Sequence, residues 1–201
     1  MRDGFVKVGA ATPDILVADC VHNREEIVKK VKEMAEAGTK VMAFPELCIT
    51  GYTCSDLFWQ ELLLVRAKEE LHKLEEELEE VEGLIIVGLP LEFNQKLYNT
   101  AAVISGGKVL GFVPKHHLPN YAEFYEARHF TAGCAFEGMV NWYGREVPFG
   151  QNLLFVCEEL PQLVTAVEVC EDLWAPNPPS ISHALSGATL IINPSASDEP
   201  T

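Results

Sequence analysis

The chain has 201 residues, of which 48 % are apolar and 22 % charged, enough for one domain with a sizeable core and far from the composition of a disordered segment. A formal charge of -15 argues against nucleic acid or an anionic membrane as partner, because both favour a basic surface. No apolar run reaches the roughly 18 residues of a membrane-spanning helix, and the opening MRDGFVKVGAATPDI lacks the apolar stretch and cleavage pattern of a signal peptide, so the expected compartment is the cytoplasm.

Taken in chain order, Phe5 to Ala11 reads as a strand with Val6, Val8 and Ala10 on one face. Asn23-Arg24-Glu25-Glu26 resembles a capping box with Asn as the cap. Ile27, Val31, Met34 and Ala35 follow at helical spacing, and Gly38 supplies a stop. Lys40 to Phe44 is a second strand. Residues 57–82 read as a long amphipathic helix with Leu64, Leu71, Leu74, Leu78 and Val81 in its apolar stripe. Its acidic stretch EELHKLEEELEEVEG reads as a solvated face.

Leu84 to Leu89 is a third, fully apolar strand. Leu97 to Ile104 and Lys108 to Val113 flank Ser105-Gly106-Gly107 as a tight hairpin. Residues 114–150 are loop-like, with a short helical signal over Tyr121 to Arg128. Strands follow at Leu153 to Val156 and Leu163 to Val169, a helix at Ser180 to Leu185, and a buried strand at Thr189 to Ile192. This order predicts an α/β layered domain on a mixed sheet. No repeat or linker divides it, so residues 1–201 are read as a single domain. The ending Ser197-Asp198-Glu199-Pro200-Thr201, a few residues past a strand, predicts a domain that is C-terminally truncated.

The six cysteines, at 20, 48, 54, 134, 157 and 170, contain no CxxC pair, and the six histidines show no ligand spacing, so no metal is expected and the thiols are read as reduced. His116 and His117 are adjacent and on a strand would face opposite sides. Three polar residues share one context: Glu46 follows KVMAFP, Lys115 follows KVLGFVP and Cys170 follows LVTAVEV. Ligands of α/β folds bind at the carboxyl ends of strands, and a proline before Glu46 and before Lys115 ends the ladder there. Cys170 has the chemistry of a nucleophile, Lys115 that of an ammonium able to lower the thiol pKa or hold an oxyanion, and Glu46 that of a proton shuttle. Taken singly, each has a plainer reading: a surface or capping carboxylate, a solvated lysine, a core cysteine.

The wider segments FPELCITGY, PKHHLPNYAEFYEARHF and VEVCEDLWAP resemble, in this order, the three signatures of the nitrilase, or carbon–nitrogen hydrolase, superfamily. The resemblance spans essentially the whole chain, and its Glu, Lys and Cys fall on Glu46, Lys115 and Cys170. Within the superfamily, LCITGYTCSDLF, CEDLWAPNPPS and NPSASDEP resemble the glutaminase domains of glutamine-dependent NAD(+) synthetases. The resemblance implies an αββα sandwich of mixed sheets flanked by helices, and self-association into a homo-oligomer. It implies that Cys170 attacks the carboxamide of L-glutamine, that Lys115 and the N–H of Glu171 hold the oxyanion, and that Glu46 moves the proton. Glu126 matches a fourth acidic position that orients the Lys and Glu pair, and Tyr121, Glu171 and Ser197 match glutamine-binding positions. It implies no cofactor for the glutaminase half. ATP and Mg belong to a synthetase domain that receives the ammonia, and this chain has no SGGxDS phosphate loop; Ser105-Gly106-Gly107-Lys108 lacks the Asp-Ser and sits between two strands. The alternatives are a free-standing amidase for another small amide, and an inactive fragment that serves as an interaction module.

Overall fold

A computed structural model describes residues 4–136 and 138–197. Its ten strands are β1 (Val8–Ala10), β2 (Val41–Ala43), β3 (Leu84–Phe93), β4 (Lys96–Ser105), β5 (Lys108–Pro114), β6 (Gly138–Trp142), β7 (Arg145–Phe149), β8 (Leu154–Cys157), β9 (Leu160–Val167) and β10 (Leu190–Ile192). Seven form one mixed sheet in the order β1-β2-β3-β4-β5-β7-β6, and three form a second in the order β10-β9-β8. The helices are α1 (Cys20–Glu36), α2 (Glu61–Glu77), α3 (Glu126–His129) and α4 (Pro179–Leu185).

The strand β3 shows why the layers stack as they do. Its LIIVGL run is apolar on both faces, as expected for a strand covered on each side. Ile85, Val87 and Leu89 join Ile27, Val31, Leu71 and Leu74 in the core under α1 and α2. Ile86 points the other way, into a second core with Val41, Ala101, Val103 and Val113 from the large sheet, Val167 from the small one, and Val169 and Cys170 just beyond it. Helix α4 packs against β9. The layers run helix, sheet, sheet, helix, as the fold expectation requires.

Several boundaries differ from those read in the sequence. Helix α1 is capped by Asp19, whose Oδ1 accepts the His22 N–H at 3.1 Å, rather than by Asn23. Asn23 is buried and bonds Leu16 N, Leu16 O and Ile49 O, a use of its amide that a solvent-facing cap does not offer. The segment read as one helix over 57–82 is a 3-10 turn (Tyr52–Trp59), an extended Gln60, and α2 ending at Glu77. Leu71, Leu74 and Leu78 are buried as expected; Leu63 and Ala67, rather than Leu64, complete the stripe.

The acidic face is not wholly solvated. Glu70 is buried against Arg24 at 2.7 Å and Lys73 at 2.6 Å. Glu75 accepts from Val109 N and Trp142 Nε1, each at 2.6 Å, and from the Arg145 guanidinium. The partners Trp142 and Arg145 lie in the β6–β7 hairpin, inside the segment read as loop. Its turn, Tyr143-Gly144, has φ 48° and 82°, and Tyr143 is an unusual residue for that position, which is why the hairpin left no turn signature. Strand β3 runs on past Leu89 through Pro90, which ordinarily argues against a strand, and turns into β4 through Asn94-Gln95 at φ 49° and 61°. The expected hairpin at Gly106-Gly107 is present, with φ 54° and 66°. Among the described residues no helix is long and apolar enough to cross a membrane.

Candidate active site

Glu46 sits three residues beyond β2, in a loop that passes across the middle of β3. The contact point is Gly88: a Cβ there would stand 2.2 Å from Leu47 N and 2.7 Å from Pro45 O. The loop is fastened on by the Ile49 N–H, which donates to Gly88 O at 3.1 Å. Only glycine lets the two backbones approach this closely. Gly88→Ala is therefore expected to lift Glu46 out of register and lower stability by about 1–3 kcal/mol; thermal melts check this, and a variant that melts with the native chain would refute the close approach.

Lys115 follows Pro114 at the end of β5, tied by its N–H to Asn99 O at 2.8 Å. Its ammonium lies between two carboxylates, 2.7 Å from Glu46 Oε1 and 2.6 Å from Glu126 Oε1. Exposure is 2 % for Glu46, 1 % for Lys115 and 4 % for Glu126, so the three charges are removed from water together. Further donors reach both carboxylates. Asn99 Nδ2 donates to Glu46 Oε1 at 2.7 Å and to Glu126 Oε2 at 3.3 Å, and the Tyr52 hydroxyl donates to Glu126 Oε1 at 2.8 Å. Glu46 Oε2 accepts the Ala196 N–H at 3.1 Å.

Cys170 comes from the other sheet. Beyond β9 the chain enters a 3-10 turn (Cys170–Trp174), and Cys170 adopts φ 47°, a left-handed conformation that costs a non-glycine residue energy. The strain is held by flanking bonds: the Cys170 N–H donates to Pro194 O at 3.0 Å, and Asn193 Nδ2 donates to Cys170 O at 3.3 Å. The turn brings the thiol beside the Glu46 carboxylate, close enough for the two to interact electrostatically. The N–H of Glu171 follows in the first turn, where a 3-10 helix leaves its donors without intrahelical partners.

The electrostatics follow from this packing. Burial disfavours the Lys115 ammonium, but Glu46 and Glu126 outweigh burial and hold its pKa above the ordinary lysine range. Burial and then the Glu46 charge raise the pKa of Glu126. Burial, followed by Glu46, pushes the Cys170 thiol up to about 11; Lys115 pulls it down but is outweighed. Lys115 does lower the thiol pKa, the direction read from the sequence, but by less than burial and Glu46 raise it. Lys115 is already paired with two carboxylates, and at neutral pH the thiol keeps its proton beside a carboxylate.

Tyr121 and Glu171 are brought together, the Tyr121 hydroxyl donating to Glu171 Oε2 at 2.9 Å. Phe124 packs edge-on against both Tyr121 and Tyr52, linking this pair to Glu126. Ser197 is exposed, next to the Ala196 that bonds Glu46; residues 198–201 of the NPSASDEP segment lie outside the described residues. A cavity of about 530 Å³ is lined by residues including Tyr52, Asp56, Glu126, Arg128 and His129. His116 and His117 do not lie on a strand; both turn their N–H groups to Asp172. Asn99, Tyr52, Asp172 and Gly88 escaped the sequence reading. Of these, Asn99 had a legible signal, as a polar side chain inside the apolar strand LYNTAAVI. Among the described residues, no His, Cys, Asp and Glu side chains group to hold a metal ion.

The sequence pattern of the carbon-nitrogen hydrolase family matches residues 7–201. The glutamine-dependent NAD(+) synthetase of Mycobacterium tuberculosis H37Rv is 39 % identical over 196 residues, which cover 98 % of this chain and 29 % of that protein. The crystal structure of a glutamine-dependent NAD(+) synthetase from Cytophaga hutchinsonii superposes with a TM-score of 0.84 at 29 % identity, covering 96 % of this chain and 30 % of that one. An amidase from Nesterenkonia sp. shares the fold, with a TM-score of 0.73 at 21 % identity over 99 % of this chain and 68 % of that one. The chain thus spans about 29 % of the length of the curated relatives it resembles.

Proposed function

The chain belongs to the carbon–nitrogen hydrolase family, and from that membership we propose that it hydrolyses the side-chain amide of glutamine, with Cys170 as nucleophile, Glu46 as proton carrier and Lys115 as oxyanion donor. The observation that supports this reading best is the buried Glu46 carboxylate clamped by the buried Lys115 ammonium at 2.7 Å, with the Cys170 thiol turned in beside them.

In this reading Cys170 Sγ attacks the carboxamide carbon as its proton passes to Glu46, so no free thiolate is needed at rest. Two N–H bonds of Lys115 are committed to Glu46 and Glu126. The third is left for the developing oxyanion, together with the N–H of Glu171. Collapse of the tetrahedral intermediate breaks the C–N bond, and Glu46 returns the proton to the departing ammonia. Glu46 then takes a proton from water, which attacks the thioester carbonyl. The second collapse releases glutamate and restores the thiol. Glu126, Asn99 and Tyr52 keep the Glu46–Lys115 pair in one arrangement throughout.

The choice of glutamine draws on the Tyr121–Glu171 pair, since a carboxylate suits an α-ammonium group, with Ser197 as a further contact. The synthetases that the chain resembles supply the rest of the reading: the ammonia passes to a synthetase domain that uses ATP and Mg, and the protein works in the cytoplasm as a homo-oligomer. The decisive measurement is ammonia release from L-glutamine beside acetamide and propionamide. Glutamine is expected to lead by about 100-fold in kcat/KM, in line with a site that pairs its polar groups. A preference for the simple amides would favour the amidase alternative, and no release from any amide would favour the inactive module.

A further inference from the structure

Asp172 lies two residues beyond Cys170 and is fully buried, with an exposure of 0 %. Its carboxylate gathers backbone donors from both halves of the site. Oδ1 accepts the His117 N–H at 2.7 Å and the His116 N–H at 3.1 Å, and Oδ2 accepts the Val169 N–H at 3.0 Å. His116 and His117 are the two residues after Lys115, and Val169 is the residue before Cys170. The two segments belong to different sheets, β5 to the large and β9 to the small. Between those sheets the local contacts are apolar, from Val113, Val167 and Val169. Such contacts are non-directional and fix no distance. We propose that Asp172 is a positioning residue, which sets the separation of the Cys170 thiol from the Lys115–Glu46 pair by bonding both chain segments at once; this rests on the amide-hydrolysis reading above.

The residue type fits the role. Three backbone donors converge and no acceptor faces them, so a carboxylate satisfies the site where an amide would set its own NH₂ group against an N–H. Burial raises the Asp172 pKa, and the N–H groups of His117, Val169 and His116 pull it back down, which keeps the charge bound to the donors it holds. The strained φ of Cys170 needs such support, because a left-handed residue relaxes once its flanking bonds are lost.

The test compares the native chain with Asp172→Asn and Asp172→Ala in three measurements: kcat and KM for glutamine, thermal melts, and the rate of Cys170 alkylation by iodoacetamide from neutral to alkaline pH. The expected result is a folded variant whose kcat falls by about 100-fold while KM stays within about threefold, as for a small misplacement of reacting groups. The alkylation profile is expected to move to lower pH, toward an ordinary thiol near about 8.5, as the sulfur moves out of its buried place beside Glu46. Asp172→Asn, which keeps one acceptor, is expected to retain more activity than Asp172→Ala. Unchanged kcat and an unchanged alkylation profile would overturn the proposal. So would failure of both variants to fold, because Asp172 would then hold the domain and not the site. If the native chain releases no ammonia from glutamine, the hydrolysis reading fails by itself, and Asp172 is still judged by the shift in the alkylation profile.

Discussion

Cys170→Ala is expected to lower ammonia release from glutamine by about 10⁴-fold or more, the scale on which loss of a covalent nucleophile is felt. The exchange removes one sulfur from a residue that is 8 % exposed and leaves Glu46, Lys115 and Glu126 in place, so the melting temperature should change little. In a longer chain that also carries a synthetase domain, ammonia-driven NAD synthesis should persist; equal loss of both activities would contradict the division of labour. The intact thiol adds a pH signature. With its pKa pushed up to about 11, Cys170 holds its proton through the neutral range. Alkylation by iodoacetamide should therefore climb with pH across the alkaline range, about tenfold per unit, and level off only near that value. A rate already flat at neutral pH would mean a preformed thiolate and would sink the proton transfer to Glu46.

Lys115→Met carries the second large effect, and it falls on stability as well as on rate. Glu46 and Glu126 are both buried, and Lys115 is the cation between them. Removing one member of a buried ionic cluster costs about 3–5 kcal/mol, because the charge left behind has no solvent. For a domain of this size that corresponds to a fall of roughly 10 °C in the melting temperature. Burial and Glu46 already raise the pKa of Glu126, so protonating it is the least costly relief. The deficit should thus shrink as the pH is lowered, and Glu126→Gln added to Lys115→Met should restore part of the stability without restoring hydrolysis. Calorimetric melts at neutral and acidic pH measure both; a single variant that melts with the native chain would refute the buried-cluster account.

How far the sequence discloses this molecule depends on where each bond partner lies along the chain. The apolar runs at β2 and β3 are legible because a strand covered on both sides must be apolar throughout. Glu46, Lys115 and Cys170 were legible because each stands at a strand end within a specific segment. The β6–β7 hairpin was not, because Tyr143 occupies a left-handed position that its residue type does not announce. Missing that hairpin also hid the burial of Glu75, whose partners Trp142 and Arg145 it carries. Gly88 looked like any glycine in a strand, since the loop that crosses it starts some 40 residues earlier. Asp172 was visible in the CEDLW segment, but its partners come from the neighbourhood of residue 116 and from the other sheet.

The bond from Ala196 N–H to Glu46 spans 150 positions, and it sets a timetable. Contacts so far apart in sequence close a large loop and form late. During synthesis, Glu46 and Lys115 can pair as soon as β2 to β5 have assembled, whereas Cys170 needs Pro194 to hold its turn and Glu46 needs Ala196 to fix its second oxygen. A growing chain therefore carries Glu46, Lys115 and Cys170 for some time before they come together. The Cys170 thiol is brought beside Glu46 only when the segment after β10 has docked.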